Sequence, residues 1–322
     1  MSKFDQMTAA ELRDYFEPQT VLRTITGSTS YGLNTATSDV DEKSVVILPK
    51  RDYYVLSQAF ETIVTHEPDH EYHALKKFMN LANTQNPTVL EILFTSERFV
   101  TKITKQGEEL RRHRDLFLSA ACFDSFGGYA RQQLMRIKSG LGRATIEDNV
   151  KHLTETLERI IRTFDLHYPG YKGGVFLVQG VTVDDEGKAA IDLTVNYDSL
   201  ELKQLAGMTA ELTNASKNFN KMGARNKRTE EKLEKHAMHL VRLMKMAIEV
   251  LATGQLNVFR EKDREELLRI RQGHYTWDEV FEMVAALEAE LRAAKETTVL
   301  PKTTDYRKIN ELYTDLMLDW YS

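Results

Sequence analysis

Gly27-Ser28, followed across a polar loop by Asp39-Val40-Asp41, constrains this chain more than any other stretch. The run Val21-Leu22-Arg23-Thr24-Ile25-Thr26 ahead of it reads as a strand, and Ser44-Val45-Val46-Ile47-Leu48-Pro49 behind it as a second, buried one. A glycine between strand and turn lets the backbone approach a phosphate closely, and the serine beside it offers a hydroxyl and an amide as donors. In a strand alternate side chains share a face, so Asp39 and Asp41 point one way and Val40 the other. Two neighbouring carboxylates repel each other unless a cation sits between them, so the pair favours a divalent metal. Hard oxygen ligands, few in number and completed by substrate phosphates, suit Mg2+ best.

Composition sets the outer bounds. The 322 residues suffice for two domains, and 42% hydrophobic content is ordinary for a globular chain. The single Cys122 excludes an internal disulfide framework and a cysteine zinc cluster, and it fits a reducing cytoplasm with no disulfide-linked partner. The N-terminus carries Asp5, Glu11, Arg13 and Asp14 in place of a charged-then-apolar leader. The most apolar later run, 237–252, is broken by His239, Arg242, Lys245 and Glu249, so neither export nor a membrane span is expected. A net charge of −5 argues against a protein that coats nucleic acid non-specifically and leaves room for a local basic surface.

Taken in order, Met7 to Phe16 reads as a short helix capped by Thr8 and closed by Pro18, and Glu61 to Thr65 as a third strand. Asp69-His-Glu-Tyr-His73 leads to a helix starting near Ala74. Asn86-Pro87 is a turn after which Thr88 caps a helical run with Val89, Leu90, Ile92, Leu93 and Phe94 in the core, and Glu91 within it reads as a salt-bridge or capping partner. Helices are expected over 123–139 and 146–164. The period then changes: 174–183 and 189–195 flank Asp184-Asp-Glu-Gly187, a hairpin signal. Residues 215–228, with Lys217, Lys221, Arg225, Lys227 and Arg228, read as a basic connector. A long helix over 229–253, stopped at Gly254, has Leu233, Ala237, Leu240, Met244, Ala247 and Leu251 as its core stripe. Lys235, His239 and Arg242 fall on roughly the opposite side, a cationic patch suited to lining a cleft where triphosphate charge is neutralised. Arg260 to Glu296 reads as a pair of charged amphipathic helices and Asp305 to Tyr321 as a last one, together a scaffold.

The Gly-Ser, spacer and Asp-x-Asp pattern resembles the nucleotidyltransferase superfamily typified by DNA polymerase beta. The fuller strings Gly27-Ser-Thr-Ser-Tyr-Gly-Leu33 and Ser38-Asp-Val-Asp41 are similar to its subgroup of predicted nucleotidyltransferases associated with RNA repair, as are Asn86 to Phe94 and Lys235 to Arg242. Lys43-Ser44 stands where that subgroup has Arg-Gly. The resemblance implies an α+β chain with a catalytic domain over 1–118, a mixed sheet flanked by helices. A mainly helical domain over 119–322 would follow, with a hairpin near 174–196, and the two would face each other across a cleft. It implies metal ligation by Asp39, Asp41 and a third acid, Glu71 by preference or Asp69; the distant Asp192 is a rival better read as an exposed strand position. Nucleotide contacts would come from Gly27, Ser28, Tyr31, Lys235, His239 and Arg242. Mg2+, two ions with Mn2+ able to substitute, would assist transfer of a nucleoside monophosphate from an NTP such as ATP to a hydroxyl, releasing pyrophosphate. The expected acceptor is an RNA end such as a tRNA 3′ terminus. Alternatives are a small molecule or protein side chain as acceptor, or a catalytically silent nucleotide- or RNA-binding protein.

Overall fold

The computed structural model describes residues 3–35, 38–54, 60–66, 69–143, 145–168, 175–183, 189–196, 200–224 and 229–322. The chain runs α1 (Ala9–Phe16), β1 (Thr20–Thr26), α2 (Gly27–Tyr31), β2 (Asp41–Val46), α3 (Lys50–Tyr53), β3 (Thr62–His66), β4 (Asp69–Ala74), α4 (Leu75–Asn83), α5 (Pro87–Phe94), β5 (Val100–Ile103) and α6 (Lys105–Arg112). It continues with α7 (Cys122–Gly140), α8 (Ile146–Arg162), α9 (Phe164–His167), β6 (Val175–Val183), β7 (Ala189–Asn196) and α10 (Leu202–Ala224). The helices α11 (Glu230–Thr253), α12 (Arg264–Arg271), α13 (Trp277–Thr297) and α14 (Tyr306–Tyr321) complete it. This is a mixed α+β architecture with a five-stranded sheet, a largely helical C-terminal part and a separate hairpin.

The sheet order is β3-β4-β2-β1-β5. β2 and β4 run parallel, with Glu42 beside His70 and Lys43 beside Glu71, while β1 pairs antiparallel with both β2 and β5. Because side chains alternate, Ser44, Val46, His70 and Tyr72 share one face and Lys43, Glu71 and His73 the other. The first face is sealed by α1: Phe4, Leu12 and Phe16 close over Val46, Leu48 and Tyr72, with Phe16 stacked on Tyr72 at 4.7 Å between ring centres. Each such ring contributes roughly 2–3 kcal/mol by leaving water.

Local chemistry explains most helix ends. Thr8 and Glu11 form a reciprocal capping box at α1, and Gly254, at φ +69°, ends α11 in the left-handed conformation. The cap of α5 is Asn86, whose side chain accepts from the Val89 amide, and not Thr88, because Pro87 takes the first helical position and moves the start back. Ahead of it Gln85 has φ +59°, is buried, and donates its side-chain amide to the Phe117 carbonyl while its oxygen accepts from the Ser119 amide at 3.3 Å.

The structure divides into two compact units. The first joins Met1–Gly127 to Arg242–Arg269 and Trp277–Ser322; the second comprises Gly128–Val241 and Ile270–Thr276. A boundary at 118/119 falls inside the first segment of the first unit, and α11 contributes residues to both units. In the second unit the hairpin β6–β7 packs with α8 and α10 around Leu153, Leu157, Phe164, Phe176, Met208 and Leu212. The hairpin turn at 184–187 lies outside the described residues. The basic connector expected over 215–228 is helical up to Ala224, since Leu212 and Phe219 anchor α10 in that core; Arg225, Lys227 and Arg228 lie outside the described residues. Asp192 is an exposed β7 position. Among the described residues no helix is long and apolar enough to cross a membrane. Cys122 is buried, and that burial pushes its thiol up to about 12.

Candidate functional site

The pairing of β1 with β2 sets Thr26 opposite Asp41, so the acid stands beside the turn that follows β1. That turn is α2, a single helical turn from Gly27 to a left-handed Gly32. Gly27 has φ +68°, and a Cβ added there would collide with the Asp41 carboxylate oxygen. Glycine is thus required twice over, by backbone conformation and by the closeness of the acid. Thr26, at the cap position, makes no side-chain cap and instead donates its hydroxyl to the Asp41 carbonyl at 3.3 Å. Ser30 turns its hydroxyl onto the Gly27 carbonyl at 3.0 Å, whereas the half-buried Ser28 hydroxyl has no hydrogen-bond partner among the described residues. The first amides of a helix lack partners inside it, so this turn offers donors to an anion beside a carboxylate suited to a cation.

Asp39 is exposed and precedes the sheet. β2 begins only at Asp41, and Val40 is 55% exposed. The alternation of 39, 40 and 41 expected of a continuous strand therefore stops at its last member. Glu71 is held on the sheet: its Oε2 is 2.5 Å from Lys43 Nζ and its Oε1 3.3 Å from His73 Nε2. Burial pushes His73 down to about 4 despite the neighbouring Glu71 carboxylate, so the ring is neutral at pH 7. Asp69 is exposed, begins β4 as Asp41 begins β2, and lies 3.6 Å from His66. Among the described residues no group of three or more His, Cys, Asp or Glu side chains comes together to hold a metal. The donor set fits an ion held by one or two carboxylates and completed by substrate phosphates and water, and does not fit an all-protein cage.

Tyr31, Glu91 and Arg242 form a buried triad at the other end of α2. They are 7%, 6% and 4% exposed. Tyr31 donates its hydroxyl to Glu91 Oε2 at 2.5 Å, Arg242 Nη1 donates to Glu91 Oε1 at 2.5 Å, and the guanidinium lies 3.7 Å from the centre of the Tyr31 ring. Burial drives the Tyr31 hydroxyl well above its ordinary range. For Arg242 burial opposes the charge, but Glu91 and Tyr31 outweigh it and the guanidinium is held more firmly protonated. Arg242 departs from the expectation of a cation open to phosphate: Glu91 answers its charge inside the first unit. Lys235 is exposed and His239 half-buried on the part of α11 that belongs to the second unit.

Sequence reasoning recognised Glu91 as a salt-bridge partner without finding what it pairs with, and it missed Lys43 as the partner of Glu71. It also read Arg260 and Arg264 as scaffold and gave Phe259 no role, though all three meet the α2 turn. The departure at Lys43-Ser44 was the one available signal for the Lys43–Glu71 pair.

The mixed sheet sets the Gly27-Ser28 turn against Asp41, the first residue of β2. Residues 1–160 match the family model described as "RlaP: RNA repair pathway DNA polymerase beta family", and over that stretch the chain belongs to this family. The family is one of polymerase beta-like nucleotidyltransferases associated with RNA repair, a class that generally uses divalent metal ions. The chain is also 27% identical over 154 residues to a protein of Enterobacteria phage T4 named "Uncharacterized 38.9 kDa protein in nrdC-mobD intergenic region". That alignment covers 44% of this chain and 46% of the relative, so the chain spans about half the length of the curated relative it matches. No solved structure matches.

Proposed function

We infer that the protein is a Mg2+-dependent nucleotidyltransferase that moves a nucleoside monophosphate from an NTP to a hydroxyl on an RNA end. The observation that carries this reading is the van der Waals closeness of the Asp41 carboxylate to Gly27, which sets a cation ligand directly against a phosphate-sized turn. Asp41 and Asp39 would hold the divalent ion, and Ser28 Oγ with the amides of Gly27 and Ser28 would grip the terminal phosphates. When bound, the ion neutralises triphosphate charge and lowers the pKa of the acceptor hydroxyl. The acceptor oxygen attacks the α-phosphorus in line, the bond to the bridging oxygen breaks, and pyrophosphate leaves carrying the electron pair. Catalysis comes from positioning and charge, so these residues need only fixed geometry. Of the two candidates for a third acid, Asp69 has the stronger support: it starts the strand parallel to β2 as Asp41 starts its own, and its side chain is exposed, whereas Lys43 engages Glu71. The RNA acceptor is supported by the repair pathway named in the family description.

The test is incubation of purified protein with each α-labelled NTP and Mg2+, with and without total RNA. Label in RNA and pyrophosphate release are expected, and both are lost in Asp41→Asn with thermal unfolding unchanged. Transfer retained when Asp39 and Asp41 are both replaced by Asn would defeat the metal assignment, and labelled protein in place of RNA would move the acceptor to a side chain.

A further inference from the structure

The α2 turn is gripped from its C-terminal end by residues far along the chain. The Arg260 amide donates to the Tyr31 carbonyl at 3.0 Å, and Arg264 Nε donates to the Gly32 carbonyl at 2.7 Å. Phe259 presses on Gly32 so closely that a Cβ there would lie 2.5 Å from Phe259 Cε2, and the Arg98 guanidinium lies 3.8 Å from the centre of that same ring. The gripping segment is itself fixed. Arg260 Nη1 is 2.5 Å from Glu249 Oε2 and donates to the Asn257 carbonyl at 3.0 Å, while its other nitrogens meet Asp263. Lys245 reaches Asp263 at 3.8 Å and also pairs with Glu266. Arg242, Lys245 and Glu249 therefore stand along one side of α11 at helical spacing, and each ties a different part of this assembly: the Tyr31 ring, the start of α12 and the intervening loop.

We propose that residues 258–264, backed by α11, form a positioning clamp that sets the 27–33 turn for phosphate binding; this rests on the nucleotidyltransferase reading above. Arg264 and Phe259 are positioning residues, since they touch the turn at its far end from Gly27 and Ser28. The clamp residues lie beyond residue 160, where the family match ends, so part of what holds the motif lies outside the stretch that carries it. Arg264 is exposed, so its removal disturbs the turn without emptying the core.

The experiment uses the full chain with Arg264→Ala, Arg264→Lys and Phe259→Ala. It measures hydrogen exchange over 28–33, where the Gly32 and Leu33 amides donate to the Thr29 and Ser28 carbonyls at 3.1 and 2.8 Å, together with ATP–Mg2+ affinity and the urea midpoint. Both alanine variants should exchange over 28–33 roughly ten-fold faster and bind ATP–Mg2+ roughly ten-fold more weakly. Arg264→Ala should keep the wild-type urea midpoint, and Arg264→Lys should recover part of both effects because its ammonium can still donate to the Gly32 carbonyl. Unchanged exchange, or faster exchange with unchanged ATP–Mg2+ affinity, overturns the clamp. Wild-type protein whose turn is well protected but which neither binds ATP–Mg2+ nor transfers nucleotide overturns the nucleotidyltransferase reading instead, and the clamp's role in phosphate binding falls with it.

Discussion

Replacing Glu91 by alanine should be among the most costly single changes in the first unit. The carboxylate is 6% exposed and accepts two hydrogen bonds, from Arg242 and from Tyr31. Its loss leaves the guanidinium, 4% exposed, without a carboxylate beside it and with the Tyr31 hydroxyl and the Met246 sulfur at 3.1 Å as neutral partners. Breaking a buried pair by removing one partner costs about 3–5 kcal/mol, because an uncompensated charge stays inside. Against a typical total stability of about 5–15 kcal/mol that is a large fraction. The measurement is urea unfolding followed by tryptophan fluorescence: both tryptophans, Trp277 and Trp320, belong to the first unit, so the signal reports the unit that holds the pair. The double variant Glu91→Leu with Arg242→Met removes both charges and should recover most of the loss. Arg242 Nε has no hydrogen-bond partner among the described residues, so the native pair is imperfectly compensated and an apolar replacement competes well. A single-variant cost below about 1 kcal/mol, the range of exposed pairs, would refute the buried-pair reasoning.

Acid should weaken the fold early. Burial pushes His70 and His73 down from 6.5 to about 4, so the unfolded chain binds more protons than the folded one between those values. Stability is complete well above pH 6.5 and falls as pH drops toward 4, by about 2 kcal/mol at pH 5 for His70, with His73 acting in the same direction; a urea midpoint that stays flat from pH 7.5 to 5 would contradict this. Gln85→Gly relieves the φ +59° backbone but orphans the Phe117 carbonyl and the Ser119 amide, so a net loss of about 1–3 kcal/mol is expected in the same urea assay. Gly27→Ala should abolish nucleotidyl transfer while costing the fold only about 1–2 kcal/mol, the penalty of a left-handed alanine, as thermal unfolding would show.

Local sequence determined the elements and much of the core. Apolar runs marked β1 and β2, three-and-four spacing marked the buried stripe of α11, and Thr8 and Gly254 marked helix ends, because caps and amphipathic periods act over a few residues and are written in those residues. The placement of Gly27 beside Asp41 came with the antiparallel register of β1 and β2, which sets Thr26 opposite Asp41 across the 27–40 connection. The fate of each charge was decided by the tertiary structure. Spacing along α11 groups Arg242 with Lys235 and His239, but only packing brings Glu91, 151 residues away, against Arg242 and turns an apparent phosphate-binding cation into the centre of a buried pair. The parallel register of β2 and β4 likewise couples Glu71 to Lys43, and the fold carries Phe259 and Arg264 back onto Gly32. A periodic pattern specifies which side chains share a face; what that face meets depends on long-range contacts whose partners no local window contains.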